Sequence, residues 1–139
     1  MTRFFDASAI VTAYADEANT ARTRALLSEG GVAVSRLTEV ETVSAMARLW
    51  RESSISEASR DDAIAAFLAD LAGWDLVEIV PEVTARAREL IVRHPLRAAD
   101  ALQLASALVL QSYLGERLDG FVAFDKRLIE AARAERLEV

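Results

Sequence analysis

The chain has no cysteine and only one histidine, His94. The absence of cysteine excludes both a disulfide framework and a thiolate metal site. Any bound metal would therefore be held by oxygen ligands or by that single histidine. Oxygen ligands favour a hard cation over a soft one.

Long apolar segments and linkers are also missing. No stretch approaches the roughly 20 apolar residues of a membrane span, and the N-terminal MTRFFDASAI lacks the apolar run of a signal peptide. We therefore expect a cytoplasmic protein without membrane association. The two prolines and five glycines form no linker, and 53% of the 139 residues are hydrophobic. Residues 1–139 are thus expected to fold as a single domain.

Positive charge is scarce as well. The net charge is −6, from 16 basic and 22 acidic residues, and Lys126 is the only lysine. This balance argues against a protein that coats nucleic acid through a broad basic face. A site that binds phosphate at one place needs only local basic residues. The abundance of arginine and alanine is more simply explained by a GC-rich coding bias than by phosphate binding.

What the chain does contain is an alternation of short apolar runs and longer helical patterns. Strands are predicted at 3–5, 32–35, 76–80 and 121–124, with a possible fifth at 137–139. Helices are predicted at 7–29 with a break near Asp16 and Glu17, and at 37–50, 57–71, 81–93, 97–114 and 126–134. Ser35, Ser56, Pro81 and Gly115 provide start and stop signals. The pattern predicts a three-layer α/β/α sandwich around a parallel sheet of four or five strands.

Two aspartates stand where predicted strands end. Asp6 follows the run RFF and Asp125 follows FVAF. Each is also well placed to cap the next helix, which is the simpler explanation for either one alone. In open parallel sheets, however, ligands bind beyond the carboxyl ends of the strands, so two such aspartates predict a common site.

Asp100 lies near the start of an apolar helix, RAADALQLASALVL, that we expect to be buried. A lone ionised carboxylate is costly in such a place. Its partner could be Arg97 together with the helix N-terminus, or it could be a cation.

Glu41 is the fourth candidate, chosen over Glu39 on the same predicted helix. Glu41 lies at the edge of the apolar face, whereas Glu39 projects away from it and is expected to be solvated. The alternative for Glu41 is a capping box with Thr38.

If the four acids converge, their repulsion determines what else is present. Two like charges about 4 Å apart repel by roughly 4 kcal/mol at an effective dielectric constant near 20. Such a cluster would either hold protons through raised pKa values or bind cations. Oxygen ligands select Mg²⁺ or Mn²⁺, and these ions support phosphodiester hydrolysis.

Four segments in this order resemble the motifs of PIN-domain ribonucleases, and among them most closely the VapC-type toxins of toxin–antitoxin pairs. The segments are FFDASAIVTAY, SRLTEVETVSAMAR, LRAADALQLASAL and FVAFDKRLIEAA. The resemblance implies a PIN-like fold and an acidic catalytic site of Asp6, Glu41, Asp100 and Asp125. In that site Asp6 and Asp100 would be the central metal ligands and Ser8 an accessory hydroxyl. Ala123 departs from the pattern, because the family often has Thr or Ser there.

The resemblance also implies an activity and partners. It implies Mg²⁺- or Mn²⁺-dependent endonucleolytic cleavage of RNA, a homodimer, and a cognate antitoxin that blocks the site. The alternatives are a PIN fold that binds RNA or protein without cutting, a receiver-type phosphorylation domain, and a haloacid-dehalogenase-like phosphatase. The last two lack expected acids, since Phe5 and Ala7 flank Asp6 and Ser8 stands two residues after it. His94 is expected to interact with the C-terminal end of its helix rather than to act as a base.

Overall fold

Four short parallel strands form one sheet in the computed structural model, which describes residues 1–139. The strands are β1 (Arg3–Phe5), β2 (Val32–Ser35), β3 (Asp75–Val77) and β4 (Gly120–Val122). Their order across the sheet is β3-β2-β1-β4, and every neighbouring pair is parallel. All the carboxyl ends of the strands therefore lie at one edge of the sheet.

Seven helices connect and follow the strands. They are α1 (Ala7–Tyr14), α2 (Thr20–Ser28), α3 (Leu37–Arg51), α4 (Glu57–Leu71), α5 (Pro81–Arg93), α6 (Ala98–Leu114) and α7 (Lys126–Ala134). Ser56 caps α4, Pro81 is the first residue of α5, and Gly115 ends α6 in a left-handed conformation, as predicted. No helix has both the length and the hydropathy that crossing a bilayer would require.

The helices cover both faces of the sheet, which confirms the predicted three-layer sandwich. Successive side chains of a strand point to opposite faces. Phe4 accordingly packs in one core with residues of α5, α6 and α7, and its ring stacks on Phe121 at 5.8 Å. Phe5 packs on the other side, with Ile10 of α1 and Phe67 of α4.

Three of the strand predictions differ from the structure. The third strand covers Asp75–Val77 rather than 76–80, because its last partner in β2 is Ser35 and α3 begins two residues later, at Leu37. The fourth covers Gly120–Val122 instead of 121–124, since its partner strand β1 ends at Phe5. Residues 137–139 form no fifth strand and contribute one edge hydrogen bond, from Phe121 N–H to Glu138 C=O.

The break in the first long helical pattern was predicted correctly, because α1 ends at Tyr14 and α2 begins at Thr20. The turn after α2 requires glycine. Gly31 has φ +62°, and a Cβ atom there would clash with the carbonyl oxygen of Met1. The close approach of two backbone segments lets β2 start beside β1.

Candidate active site

The four predicted acids come from four different helices, at or near their N-terminal ends. Asp6 is the N-cap of α1 and Asp125 the N-cap of α7. Asp100 lies in the first turn of α6, and Glu41 lies one turn into α3, the helix that follows β2. Since α1, α3 and α7 begin just beyond the carboxyl ends of β1, β2 and β4, the topology directs these acids to one edge of the sheet.

Asp6 is the most deeply buried of the four, with 3% of its surface exposed. Its Oδ1 accepts the Ala9 N–H at 2.9 Å, and the Ser8 hydroxyl lies 2.9 Å from both carboxylate oxygens. Burial raises the pKa of Asp6 to about 6, against the lowering effect of these hydrogen bonds, and the charges of Asp100 and Glu41 raise it further. The carboxylates of α1, α3 and α6 are therefore close enough to repel one another.

The pKa values of Asp100 and Glu41 are raised as well. Burial raises the pKa of Asp100; the Arg97 guanidinium opposes this and the charge of Asp125 adds to it. Burial also raises the pKa of Glu41, opposed by a hydrogen bond from Gln103 and reinforced by Asp100. Asp100 is thus electrostatically linked to each of the other three acids.

These acids line two adjoining depressions. A cavity of about 310 Å³ is lined by Asp6, Ser8, Glu41 and Asp100, together with Arg48, Arg97 and Gln103. A second cavity, of about 250 Å³, is lined by Asp100 and Asp125, together with Pro95, Arg97, Lys126 and Arg127. Asp100 and Arg97 line both. The structure therefore groups three of the acids in one cavity and places Asp125 in the next.

The simpler explanations for Asp6, Asp100 and Asp125 are present in the structure, but they do not account for the raised pKa values of Asp6 and Asp100. Asp6 and Asp125 do cap their helices, the latter through the Leu128 N–H at 3.0 Å. Capping hydrogen bonds favour the ionised form and would lower a pKa, whereas the pKa of Asp6 is raised. Arg97 lies 3.7 Å from Asp100 with 85% of its side chain exposed, and an exposed ion pair of this kind contributes little.

The capping box considered for Glu41 does not form. Thr38 lies inside α3, and its hydroxyl accepts a hydrogen bond from Gln103 rather than capping the helix. Glu39 pairs with Arg36 at 3.2 Å, with 40% of its side chain exposed. Glu41 and not Glu39 therefore reaches the cavity.

The sequence model of the PIN domain family matches residues 3–134 of the chain. The chain belongs to the PIN domain family. No curated protein matches its sequence. Among solved structures, the VapC20 toxin of Mycobacterium tuberculosis, described as cleaving the sarcin-ricin loop, is similar in fold, with a TM-score of 0.67. The two sequences are 20% identical, and the similarity covers 94% of this chain and 95% of that toxin.

A second similar structure is a toxin–antitoxin complex from Klebsiella pneumoniae. Its TM-score is 0.64 at 16% identity, and the similarity covers 91% of this chain and 89% of the matched chain. At these identities the likeness establishes the fold. The PIN fold of this chain therefore rests on two independent findings, the family match and the structural neighbours.

The acidic side chains that line the first cavity are all carboxylates, so they offer oxygen ligands. Oxygen ligands suit a hard divalent cation. No three histidine, aspartate or glutamate side chains are close enough to form a ready-made metal cluster. Mg²⁺ does not need one, because it usually keeps several waters and binds through one or two carboxylates and substrate phosphates. The residues present therefore fit such an ion.

Basic residues surround the acids. Arg48 borders the first cavity, and Lys126 and Arg127 border the second. None of the three takes part in an ion pair. The overall charge is negative, yet this edge of the PIN domain carries cationic groups that are not engaged in ion pairs.

The sequence reasoning missed Gln103 and Arg48. Gln103 is 2% exposed and bonds to Glu41, and the available signal was a polar residue one turn after Asp100 in an otherwise apolar helix. Arg48 had a weaker signal, since it lies two turns after Glu41 on α3 and so near the same face.

Proposed function

We propose that this chain is a metal-dependent endoribonuclease and the toxin of a type II toxin–antitoxin pair. The observation that carries the proposal is the cavity that Asp6, Glu41 and Asp100 line together; burial raises the pKa of Asp6 there to about 6, and the two neighbouring acids add to the effect. Repulsion among such carboxylates is reduced either by protonation or by a bound cation. Family membership and the basic residues beside it favour the cation and a phosphate-bearing substrate.

In the proposed mechanism, Asp6 and Asp100 hold the main Mg²⁺ or Mn²⁺ ion, and Glu41 and Asp125 complete the site directly or through water. When bound, such an ion supplies an acidified water as nucleophile and offsets charge on the phosphoryl oxygen. Ser8 orients Asp6 through its hydroxyl, which lies 2.9 Å from both carboxylate oxygens.

Binding of the RNA backbone is assigned to Arg48, Arg97, Lys126 and Arg127. Arginine suits bidentate contact with phosphate. Because Arg97 and Asp100 border both cavities, we place the phosphate to be cleaved near them, with the flanking phosphates in the two depressions. Ala123, where the family often has a hydroxyl residue, is buried in the core with 7% exposure, so Asp125 acts without a hydroxyl at that position.

The toxin assignment draws on the similar structures, one of which is a toxin–antitoxin complex. We therefore include a cognate antitoxin that blocks the site and a homodimer formed by this single-domain chain, acting in the cytoplasm where its RNA substrate occurs. Light scattering of the purified chain tests the dimer. Growth arrest on expression in a bacterial host, absent for Asp100→Asn, tests toxicity.

An RNA cleavage assay tests the activity. Purified parent, Asp6→Asn and Asp100→Asn proteins are incubated with RNA in Mn²⁺, in Mg²⁺ and in chelator. We expect cleavage by the parent with either ion, none in chelator, and at least a roughly hundredfold slower rate in both variants, as removal of a transition-state charge partner produces. Asp62→Asn serves as the matched control, because Asp62 is an exposed aspartate on α4 outside the site.

Two results would reject the proposal. Cleavage by Asp100→Asn at the parent rate would show that the activity belongs to another site or a contaminant. RNA binding without cleavage in any ion would instead indicate a PIN fold that binds but does not cut.

A further inference from the structure

One buried amide, that of Gln103, joins α6 to α3 through hydrogen bonds. Gln103 Nε2 lies 3.0 Å from Glu41 Oε1 and 3.1 Å from Thr38 Oγ1, and the side chain is 2% exposed. Glu41 is separated from Gln103 by 62 residues in the chain. The hydrogen bonds therefore join two helices that carry separate acids of the candidate site.

The Glu41 carboxylate fixes the orientation of the amide, because the Thr38 hydroxyl can either donate or accept. Both Glu41 Oε1 and Thr38 Oγ1 face the nitrogen, and the Thr38 hydroxyl lies 3.5 Å from the Gln103 Oε1. A reversed amide would point an acceptor oxygen at a carboxylate oxygen, which cannot donate when ionised. Gln103 can satisfy this arrangement only with its N–H groups directed at Glu41.

Gln103 also follows Asp100 by three residues on α6, so the two side chains are neighbours along one face of the helix. The first turns of α6 therefore place both Asp100 and Gln103 at the same cavity. Gln103 bonds to Glu41, which lines that cavity as well. Without the amide, the Glu41 side chain would be free to rotate away from a site that repels it, since the charge of Asp100 opposes its own.

We infer that Gln103 is a positioning residue, which holds the Glu41 carboxylate in the active site through its amide N–H and sets the distance between the acids of α3 and α6. The inference rests on the proposed function. Groups that orient a metal-binding side chain from behind commonly change metal affinity or activity by about 10- to 100-fold when they are removed.

The test compares Gln103→Met with Gln111→Met. Methionine keeps the length and volume of glutamine and removes its donors. Gln111 is the matched control, because it lies on the same helix and its amide oxygen accepts the Leu118 N–H at 3.0 Å, at a place outside the acidic cavity. Gln103→Met loses two hydrogen bonds from the amide N–H groups, one of them to an acid, whereas Gln111→Met loses one bond to a backbone N–H.

We expect Gln103→Met to lower kcat by about 10- to 100-fold with KM for RNA changed less than about threefold, and to weaken Mn²⁺ binding by about tenfold or more. Gln111→Met should leave all three within about twofold of the parent. In a Glu41→Gln background, Gln103→Met should reduce kcat by less than about twofold further, because the residue it positions is already altered.

Equal effects of Gln103→Met and Gln111→Met would overturn the inference, and so would an undiminished effect of Gln103→Met in the Glu41→Gln background, since both indicate a general structural role. If the parent cuts no RNA but binds Mn²⁺, the proposed activity fails and the Mn²⁺ affinities of the two variants still decide the role of Gln103. If the parent binds no Mn²⁺ either, both proposals are rejected.

Discussion

Asp6 accepts hydrogen bonds that favour its ionised form, yet burial and two neighbouring acids favour its protonated form, and the second effect is larger. The folded protein therefore binds a proton at Asp6 more tightly than the unfolded chain does. Stability from this group is fully present below the unfolded pKa of 3.8 and is lost as pH rises through about 6.

We predict that Asp6→Asn stabilises the metal-free protein at pH 7 by up to about 3 kcal/mol, the equivalent of the shift in pKa. Asparagine can still accept the Ala9 N–H as an N-cap. Denaturant unfolding in chelator at pH 4, 5, 6 and 7 measures the effect, which should grow with pH. A variant less stable than the parent at pH 7, or a difference independent of pH, would show that ionisation of Asp6 does not destabilise the folded state.

Two threonines on α3 differ in their hydroxyl partners. The Thr42 Oγ1 is buried and has no hydrogen-bond partner, whereas the equally buried Thr38 accepts from Gln103. We predict that Thr42→Val raises the free energy of unfolding by about 1 kcal/mol, because an unsatisfied hydroxyl is removed. Thr38→Val should lower it by about 1 kcal/mol or more, since the Gln103 amide loses an acceptor. Equal changes in equilibrium denaturation would contradict the assignment of their partners.

Ion pairs join the C-terminal end of α7 to the helix α5. The Glu135 side chain is 7% exposed and lies 2.8 Å from Arg93 and His94 and 3.2 Å from Arg86. Helix α5 ends at Arg93 as predicted, but the side chain of His94 bonds to this carboxylate rather than to the C-terminal end of its own helix. Burial alone would raise the pKa of Glu135, but the hydrogen bonds from His94 and Arg93 and the charges of Arg93 and Arg86 lower it.

We predict that Glu135→Gln destabilises the protein by about 1.5–3 kcal/mol at pH 7, the range for hydrogen bonds to a charged group. Because the folded pKa is lowered, this contribution should be present above the unfolded value of 4.5 and vanish as pH falls below it. Thermal unfolding and amide exchange of α7 measure it. Glu138→Gln is the control, since Glu138 is 66% exposed and 3.8 Å from Arg117. A loss of stability equal in the two variants would reject this role of Glu135.

Helices were predicted more accurately than strands, for a physical reason. A helix start is encoded locally, as Ser56 and Pro81 illustrate, because the cap and the first turn are adjacent in sequence. A strand ends where its partner ends. The run 76–80 is apolar except for Glu78, and β3 stops at Val77 because β2 offers no further residue to pair with. The run itself does not encode where its partner strand ends.

At the scale of the whole molecule, the α/β/α sandwich was predictable because apolar runs alternate with helices along the entire chain. The edge shared by Asp6 and Asp125 followed from the same alternation. The prediction that Glu41 and Asp100 belong to the same site did not follow from topology. It depended on the helix face that each residue occupies and on the resemblance to PIN domains. The hydrogen bond from Gln103 to Glu41 could not be predicted, because it depends on how α3 packs near α6.

We propose above all that Asp6, the N-cap of α1, and Asp100 of α6 share a divalent cation. Mn²⁺ binding, measured by electron paramagnetic resonance and calorimetry on purified protein without RNA, tests it most directly. We expect saturable binding by the parent and by Asp62→Asn, and its loss in both Asp6→Asn and Asp100→Asn. Binding unchanged in those two variants, or absent from the parent, would contradict the claim.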